Sequence, residues 1–476
     1  MNSFAFDAIS PNQRVPGSQV EFSNVRALQG LPPAQQKILL IGQCIGAASV
    51  SAPARMTRGD QGATLAGRGS ILAAMVAATL KASAQVEVWA MPIADNAAGV
   101  AATGTLTLAG VATAAGTLAV MIAGARVPVG VASGATAVSV ATALSAAING
   151  QPDLPVTASV SGAVVTLTCR HKGTAGNDID VRLNYFDGEA TPAGLTATIV
   201  AMAGGATNPD LSSLLAGLGD QWYQTIVVGM NDAANMSVVD TELADRWGPV
   251  RQIEGRAFYG MAGSFATLAT FGSTRNGVHT TIVGAHRMPS PPWAVASAFA
   301  AIAAFHLQID PARPFTDLVV PGIRAPRPEH RFPRQERELL LRDGISTYRV
   351  NAAGDVAIER LISTYQVNSG GFDDPSYLDI QTTATLGYYR YSYRARMAQK
   401  FPREKLTADT IAAVRAETIA LAREWEDAGL MEDVDGFIAG LVIERDASNV
   451  TQLNSLLIPN TVNGLLQLAT RIEFIL

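Results

Sequence analysis

Short apolar runs alternate with longer helix-like patterns in two parts of the chain, residues 36–94 and 206–335. The run 38–41 is apolar at every position, which is typical of a strand buried on both faces. Because strands that alternate with helices form parallel sheets with right-handed crossovers, the two parts are predicted to form one discontinuous α/β core domain. Its other strand candidates are 86–91, 225–229, 256–260 and 280–284, and its helix candidates include 62–84 and 293–309.

Between these two parts, residues 95–205 change in composition to Ala, Gly, Thr and Val. The run 179–185 alternates between apolar and polar residues, so one of its faces is expected to be buried and the other wet. One helix is predicted at 137–148. We therefore predict a β-rich outer domain inserted into the α/β core. Its strand candidates are 104–109, 117–122, 127–131, 156–160, 164–169, 179–185 and 195–201.

The remaining sequence, residues 336–476, is predicted to be a C-terminal α+β domain. Two β-type runs flank 351–355, where Gly354 can supply a positive φ for a hairpin turn. In the second run, Arg360 and Glu359 interrupt an otherwise apolar strand, which indicates a surface that meets another protein. Helices are predicted at 377–400 and 407–427, and further strands at 437–444 and 465–476.

The final strand candidate continues to the last residue of the sequence, in an arm of about 446–476. A strand of this kind must pair with another strand, because an exposed flat edge promotes aggregation. Two partners are open to it: its own subunit, or the sheet of a neighbouring subunit by β-augmentation. The residues that share its apolar face are Leu466, Leu468, Ile472, Phe474 and Leu476.

The first 35 residues contain several Pro and Gly residues between short apolar patches. A brief strand around Val20 and Phe22 would make residues 1–35 an extended N-terminal arm. A frayed terminus explains the same pattern equally well.

Composition narrows the class of protein. The chain has 476 residues, of which 48% are hydrophobic and 16% charged, so it can bury large cores and is not a disordered chain. The net charge of −5 argues against nucleic-acid binding. No signal-peptide pattern is present, and the apolar helix at 293–309 is expected to be a core helix rather than a membrane span. Cys44 and Cys169 are interpreted as free thiols in a reducing cytosol.

Candidate catalytic chemistry is sparse. The sequence has no phosphate-binding P-loop motif, and Ser264 lacks the G-x-S-x-G pattern of a hydrolase nucleophile. Asp373 and Asp374 precede a proline and are best explained by a turn, so no metal or other cofactor is expected. We therefore expect a protein that is not an enzyme. The histidines tested as members of a Ser-His-Asp triad are His171, His279, His286, His306 and His330, and none has a suitable setting.

A series of arginines recurs every three to four residues through a proline-rich connection. It is either a solvated basic stretch or a set of partners for acidic groups of a neighbouring subunit. The residues are Arg324, Arg327, Arg331, Arg334 and Arg337.

The hairpin resembles the C-terminal domain of contractile-phage tail sheath proteins. The match covers 343–345 and 358–365, with Ser363 in place of the usual Thr. The segment 171–179 resembles an insertion in the Mu-like branch of that family. The sheath hairpin residues are Gly344, Ile345, Ile358, Arg360, Ile362, Thr364 and Tyr365.

This resemblance implies a subtilisin-like α/β core without a catalytic triad. It also implies a structural subunit of the virion tail, assembled in the host cytoplasm as helically stacked hexameric rings around a tail tube. The implied partners are other copies of the chain, the tail tube protein, and baseplate and tail terminator proteins, with no nucleic acid and no membrane contact. Contraction would drive the tube through the host envelope during genome ejection. The alternatives are a related pyocin-like injection particle and, less favoured, an α/β-core hydrolase.

Overall fold

The computed structural model describes residues 31–46 and 52–475. The described chain divides into two compact units. The larger unit contains residues 34–388 together with the end of the chain from 463, and the smaller unit contains residues 389–462.

The strands of the larger unit are β1 (Lys37–Gln43), β2 (Ala54–Met56), β3 (Glu87–Ile93), β4 (Ala101–Gly110), β5 (Gly116–Ile122), β6 (Ala125–Val131), β7 (Val156–Ser161), β8 (Val164–Lys172), β9 (Val181–Leu183), β10 (Leu195–Ala203), β11 (Thr225–Val228), β12 (Arg256–Met261), β13 (Thr280–Gly284), β14 (Ile345–Val350) and β15 (Val356–Arg360). Its helices are α1 (Asp60–Ala66), α2 (Ile71–Ala82), α3 (Ala137–Asn149), α4 (Ser212–Leu218), α5 (Ala233–Trp247), α6 (Phe265–Gly272), α7 (Pro292–Ile309) and α8 (Arg334–Arg342).

An eight-stranded sheet forms the centre of the larger unit, in the order β15-β14-β13-β12-β11-β1-β3-β2. The six strands from β14 to β3 run parallel to their neighbours, whereas β2 and β15 pair antiparallel at the two edges. The predicted parallel α/β arrangement is therefore confirmed. Strand β2 was not predicted, because three residues are too few to show an alternating pattern.

Both faces of this sheet are covered. Ile38 and Leu40 belong to one hydrophobic cluster with helices α2 and α7, whereas Leu39 and Ile41 belong to a second cluster with α4 and α5. This alternation explains why β1 is apolar at every position, since its side chains enter two cores. Helix α7 is long and apolar enough to cross a membrane, but 78% of it is buried inside the protein. The expectation of a core helix is confirmed.

The segment predicted as one helix over 62–84 forms two helices, α1 and α2. Gly67 and Gly69 lie between them with φ of +85° and +81°. A Cβ on Gly69 would lie 2.6 Å from the carbonyl oxygen of Leu154, so the chain has no room for a side chain there. Ser70 then begins α2 by accepting a hydrogen bond from the backbone N–H of Ala73.

The insertion contains two antiparallel sheets, β10-β4-β8-β7 and β6-β5-β9, together with helix α3. The predicted strands and the helix all occur, with bounds within three residues of the prediction. Strand β9 is less than half as long as the predicted run 179–185. Asn184 has a φ of +51°, a left-handed conformation that cannot continue a strand.

The hairpin of β14 and β15 belongs to the central sheet rather than to a separate C-terminal region. Strand β14 pairs in parallel with β13, with Ile345 opposite Ile282. The region from 336 onward was assigned to the C-terminal domain because its turn and alternating strand look like an independent hairpin. A parallel partner more than 60 residues earlier in the chain leaves no local signal in the sequence.

The smaller unit contains the second half of α9 (Ile380–Lys400), helices α10 (Ala408–Asp427) and α11 (Val434–Gly440), and the strands β16 (Met431–Glu432), β17 (Val442–Arg445), β18 (Leu453–Leu456) and β19 (Asn460–Thr461). The strands form two antiparallel pairs, β16 with β19 and β17 with β18. The prediction of a strand over 437–444 is wrong. Asp433 caps α11 by accepting from the N–H of Gly436 at 3.0 Å, and only 442–445 are extended.

We predict that Gly260→Ala destabilises the subunit strongly. A Cβ on Gly260 in β12 would lie 2.0 Å from the carbonyl oxygen of Pro292, at the start of the buried helix α7. Because the new Cβ and the Pro292 carbonyl are both fixed to the backbone of packed elements, neither can move aside. We therefore expect a loss of about 1–3 kcal/mol in unfolding free energy. Denaturant unfolding of dispersed subunits measures it.

The matched control is Gly217→Ala at an exposed position of helix α4, where a Cβ meets nothing within 4 Å. There the substitution should be neutral or stabilising by up to about 1 kcal/mol, because alanine favours the helix. Equal effects of the two substitutions would contradict the packing assigned to β12 and α7.

Candidate assembly site

The sheath hairpin residues lie inside the larger unit. Ile345, Ile358 and Ile362 are fully buried. Gly344 directly precedes β14 with a φ of +76°, and a Cβ there would lie 3.2 Å from the Cα of Thr364. These residues hold the end of the sheet together and do not form an exposed surface.

Two further hairpin residues, Thr364 and Tyr365, fix the chain after β15. The Thr364 hydroxyl accepts from the N–H of Gly277 at 2.9 Å, and the Thr364 N–H donates to the carbonyl of Thr280 at 2.8 Å. The Tyr365 hydroxyl donates to the carboxylate of Asp374 at 2.7 Å. Asp374 also accepts from the hydroxyl and the N–H of Ser376, and these bonds, together with the one from Tyr365, hold the pKa of Asp374 below its ordinary value. Its place in a turn agrees with the sequence interpretation.

The charges within the hairpin have partners in the same chain. Arg360 donates two hydrogen bonds to the carboxylate of Asp379, at 2.9 and 2.8 Å. Glu359 accepts from Arg337 at 2.8 Å and from the Thr347 hydroxyl at 2.8 Å. The interpretation of Arg360 and Glu359 as a surface for another protein is therefore replaced by two internal ion pairs. Sequence alone could not show this, because Asp379 and Arg337 lie outside the hairpin.

The proline-rich connection covers the outer edge of β15. The N–H of Val320 donates to the carbonyl of Val356 at 2.8 Å, and the N–H of Ile358 donates to the carbonyl of Leu318 at 2.9 Å. Since the edge groups of β15 are paired within the chain, this edge of the sheet is protected against the addition of another strand.

Several arginines of this connection also bind the chain itself. Arg327 donates to the carbonyl of Tyr185 in the insertion, and the Arg324 guanidinium lies 5.3 Å from the ring centre of Phe186. Arg337 pairs with Glu359. Arg331 and Arg334 are exposed and have no carboxylate partner among residues 31–46 and 52–475.

The end of the chain is extended and unpaired. Residues 463–475 form neither helix nor strand. The predicted face is exposed at every described position, with 37% exposure at Leu466, 84% at Leu468 and Ile472, and 78% at Phe474. Leu476 lies outside the described residues, as do Val20 and Phe22 of the N-terminal arm. Full burial of such side chains stabilises by roughly 1.5–3 kcal/mol each, so this segment forgoes a large stabilisation.

The hairpin of β17 and β18 in the smaller unit is a candidate acceptor that the sequence prediction missed. Its register pairs Val442 with Leu456 and Arg445 with Leu453. Within the described residues this sheet has two strands, so each strand has one edge without a β partner. A sequence signal existed, because the turn residues 446–449 separate two short β-type runs.

The contacts of Ser264, the candidate nucleophile, have a structural role. The Ser264 hydroxyl accepts from the N–H of Thr267 at 3.2 Å and so caps helix α6. The nearby His286 contacts the carbonyl of Gly263 at 2.6 Å through Nδ1 and stacks on Phe332. Ser264 and His286 therefore each have a structural partner.

His171 and Asp95 form a pair that superficially resembles two members of a triad. Their Nδ1 and Oδ1 atoms are 2.9 Å apart, and His171 is 1% exposed. The Nε2 atom of His171, however, accepts from the backbone N–H of Ile71 at 3.2 Å, at the start of α2. A serine hydroxyl cannot donate to an atom already occupied in this way. His171 instead connects the insertion to the core.

The insertion also fills the place where open α/β sheets usually bind ligands. That place is the crevice beyond the carboxyl ends of strands on either side of a reversal in strand order, here β1 and β11. Asn231, just after β11, donates to the carboxylate of Asp178 in the insertion at 2.8 Å. Gln43, at the end of β1, donates to Asp95 and to the carbonyl of Lys172. The crevice is thus a joint between two parts of the protein.

Three regions of the chain match families of known proteins. Residues 204–364 match the phage tail sheath protein central domain, residues 373–475 the phage tail sheath C-terminal domain, and residues 97–196 the phage tail sheath protein beta-sandwich domain. The Mu-like prophage FluMu tail sheath protein of Haemophilus influenzae is 40% identical over 487 residues, which cover 100% of both chains.

Solved structures show the same fold. The sheath tail protein of Listeria innocua has a TM-score of 0.50 at 12% identity, covering 92% of this chain and 94% of that chain. A chain of the anti-feeding prophage baseplate in its contracted state has a TM-score of 0.51 at 13% identity, covering 97% and 98%. The chain belongs to the phage tail sheath family. It is a tail sheath protein of a contractile phage or injection system.

The joint between insertion and core should show a characteristic pH dependence. Burial raises the pKa of Asp178 to about 6, although the hydrogen bond from Asn231 opposes the rise. A folded-state pKa above the ordinary value means that this group favours folding at low pH, and that the contribution is lost as pH rises from about 4 to about 6. We therefore expect Asp178→Asn to stabilise the protein at pH 7 by roughly 1–2 kcal/mol, a value reduced for partial solvent screening.

The measurement is denaturant unfolding of dispersed subunits at pH 4 and pH 7. The gain should fall to a small part of its size at pH 4, where Asp178 is protonated in the folded state and about half protonated in the unfolded chain. Asp187→Asn, at an exposed position of the same insertion, should change stability little at either pH. A gain of equal size at both pH values would contradict the burial of the Asp178 charge.

Proposed function

We propose that this protein is the structural subunit of a phage contractile tail sheath, which polymerises around the tail tube and contracts to drive the tube through the host envelope during genome ejection. The role is structural rather than catalytic. The observation that carries the proposal is the exposed, unpaired apolar segment 463–475. An extended segment of this composition is the donor strand that β-augmentation requires.

The hairpin of β17 and β18 is the proposed acceptor. At its turn, the N–H of Asp446 donates to the carbonyl of Gln452. Because hydrogen-bonded and non-hydrogen-bonded pairs alternate in an antiparallel ladder, the N–H groups of Ile443 and Ser455 then point to the outer edges. One edge would receive the C-terminal strand of one neighbour, through Leu466, Leu468, Ile472, Phe474 and Leu476. The other would receive the N-terminal arm of a second neighbour, around Val20 and Phe22.

Such exchanged strands suit a lattice that changes shape. Several main-chain hydrogen bonds hold each connection, while 26–34 and the residues of 446–464 outside β18 and β19 act as hinges. We infer stacked hexameric rings in two states, with rigid subunits that rotate from an extended lattice to a contracted one. The free energy of the additional contacts drives the movement. The tail tube, baseplate and tail terminator proteins are the other proposed partners, and assembly takes place in the host cytoplasm.

The domain layout follows from the same proposal. The parallel sheet flanked by helices supports a subtilisin-like α/β core, made of residues 36–94 and 206–335 together with the hairpin of β14 and β15, as the middle layer of the sheath wall. Residues 95–205 would lie outside, and the C-terminal domain would face the tube. A phage is favoured over a pyocin-like particle by the full-length similarity to the Mu-like prophage protein.

The first test removes the donor. Deletion of 465–476 should leave a soluble subunit that cannot polymerise, because the acceptor edges stay empty. Negative-stain electron microscopy should show striated hollow cylinders for the whole chain and none for the deletion. As a matched control, Arg471→Ala with Glu473→Ala alters the opposite face of the strand, where the two side chains pair with each other. Normal cylinders from the truncated chain would exclude the proposal.

The second test closes the acceptor. Ile443→Pro combined with Ser455→Pro removes the two outward N–H groups while the ladder between β17 and β18 keeps its inward bonds. We expect a folded subunit that pellets at least tenfold less efficiently. The control replaces the same two residues by alanine, which keeps both N–H groups. If the proline and alanine variants assemble alike, strands are not added at these edges.

A further inference from the structure

A second contact between copies is indicated by a loop and a cavity of the larger unit. The loop, residues 367–373, presents Phe372 at 74% exposure. The cavity, about 250 Å³ in volume, lies between helix α8 and strand β14. We propose that Phe372 of one subunit inserts into this cavity of the next subunit. The proposal deepens the proposed sheath function, because it names a second surface through which copies associate.

The loop is rigid rather than loose. The N–H of Asn368 donates to the carbonyl of Phe372 at 2.9 Å, and the Asn368 side chain accepts from the N–H groups of Gly370 and Phe372 at 2.9 and 3.2 Å. Asn276 holds the base of the loop through the N–H and carbonyl groups of Val367. An exposed aromatic ring in a fixed position loses little conformational entropy on binding, which favours its use as an anchor.

The ring also packs on its own backbone. Gly370 leaves space for it, since a Cβ there would come within 3.2 Å of the Phe372 ring. The next residue, Gly371, has a φ of +78°, which a side chain would disfavour. Both glycines are therefore needed to present Phe372 outward.

The cavity matches the ring in size and character. Its lining includes the apolar side chains of Phe332, Leu340 and Val350 and the ring of Tyr348. A cavity of about 150 Å³ holds benzene, so 250 Å³ accommodates a phenyl side chain. An apolar ring that leaves water for this site is stabilised by roughly 1.5–3 kcal/mol.

Charge complementarity supports a second copy as the occupant. Asp373 follows Phe372 directly, is exposed and has no ion-pair partner in the described part of the chain. Arg331 lines the cavity, is exposed and likewise has no carboxylate partner there. Insertion of Phe372 would bring this carboxylate to this guanidinium. Within the arginine series, Arg331 is therefore the residue that we expect to pair with an acidic group of a neighbour.

Phe372 cannot reach the cavity of its own subunit. The loop is fixed to Asn276, before the amino end of β13, whereas the cavity is lined by Gly284 at the carboxyl end of that strand. Five residues of extended chain separate the two ends by roughly 15 Å. A contact between a loop at one end and a cavity at the other is head-to-tail when the same two copies do not reciprocate it, and a head-to-tail contact forms rings or filaments.

The test introduces cysteines at both positions, as Arg331→Cys and Asp373→Cys in one chain. The native Cys44 and Cys169 are buried and do not compete. Under oxidation with copper-phenanthroline we expect a ladder of disulfide-linked dimers, trimers and higher species, since each copy offers one donor and one acceptor. Peptide mass spectrometry should identify the 331–373 link. A disulfide within one chain is excluded, because the Cα atoms of a disulfide lie within about 7 Å.

The control pairs Arg331→Cys with Val250→Cys, an equally accessible position at 93% exposure, and should give no ladder. Products that stop at dimers, a ladder equally strong in the control, or no 331–373 link would overturn the inference. In parallel, Phe372→Ala should raise the concentration needed for assembly about tenfold, whereas Val250→Ala should change it less than twofold.

The outcomes separate this contact from the strand exchange. Striated cylinders without the 331–373 link reject the Phe372 contact and leave the sheath function standing. The link without cylinders supports the contact and rejects the lattice. Neither cylinders nor link rejects both.

Discussion

The pairing of strand edges is the constraint on which this structure depends. Each β-strand carries backbone donors and acceptors on two sides, and an edge that finds no partner is exposed to whatever strand comes near. At the β15 edge of the central sheet this requirement is met internally, because residues 317–320 close the edge. Near the C-terminus it is not met: the hairpin of β17 and β18 has two edges without a β partner in the described chain, and residues 463–475 belong to no sheet. One chain thus contains a strand edge closed by its own connection and, elsewhere, edges without a β partner.

The joint between the insertion and the core explains why a sheet of a kind common in enzymes can serve a structural role. The crevice at the reversal of strand order, which in many proteins binds a ligand, is occupied by Asp95, His171 and Asp178 from the insertion and its base. Their hydrogen bonds join two domains into a compact unit. Rigidity of that kind suits the proposed sheath subunit, which would transmit force, since a body that deformed would dissipate the free energy of new contacts.

Much of the fold was predictable because its signals are local. The continuous apolar run of β1 and the alternation in the insertion indicated the parallel sheet and the inserted β domain. The hairpin was recognised but assigned to the wrong neighbours, since β14 pairs with a strand more than 60 residues earlier. The partners of Arg360 and Glu359 were invisible for the same reason. The exposed apolar face of the C-terminal segment is visible in the sequence, whereas its proposed acceptor is hidden by a single predicted strand over 437–444.

The uncovered segment 463–475 has a consequence for the life of the free subunit. A chain that exposes Leu468, Ile472 and Phe474 to water is prone to aggregate as soon as it is synthesised. The same side chains would mediate both the proposed ordered assembly and non-specific aggregation. Ordered growth of the proposed sheath then requires that free subunits bind to the end of an existing assembly more often than they bind to each other. A template such as a finished tube with a first ring already in place would supply that end, and would let the length of the template, rather than the subunit, decide where growth stops.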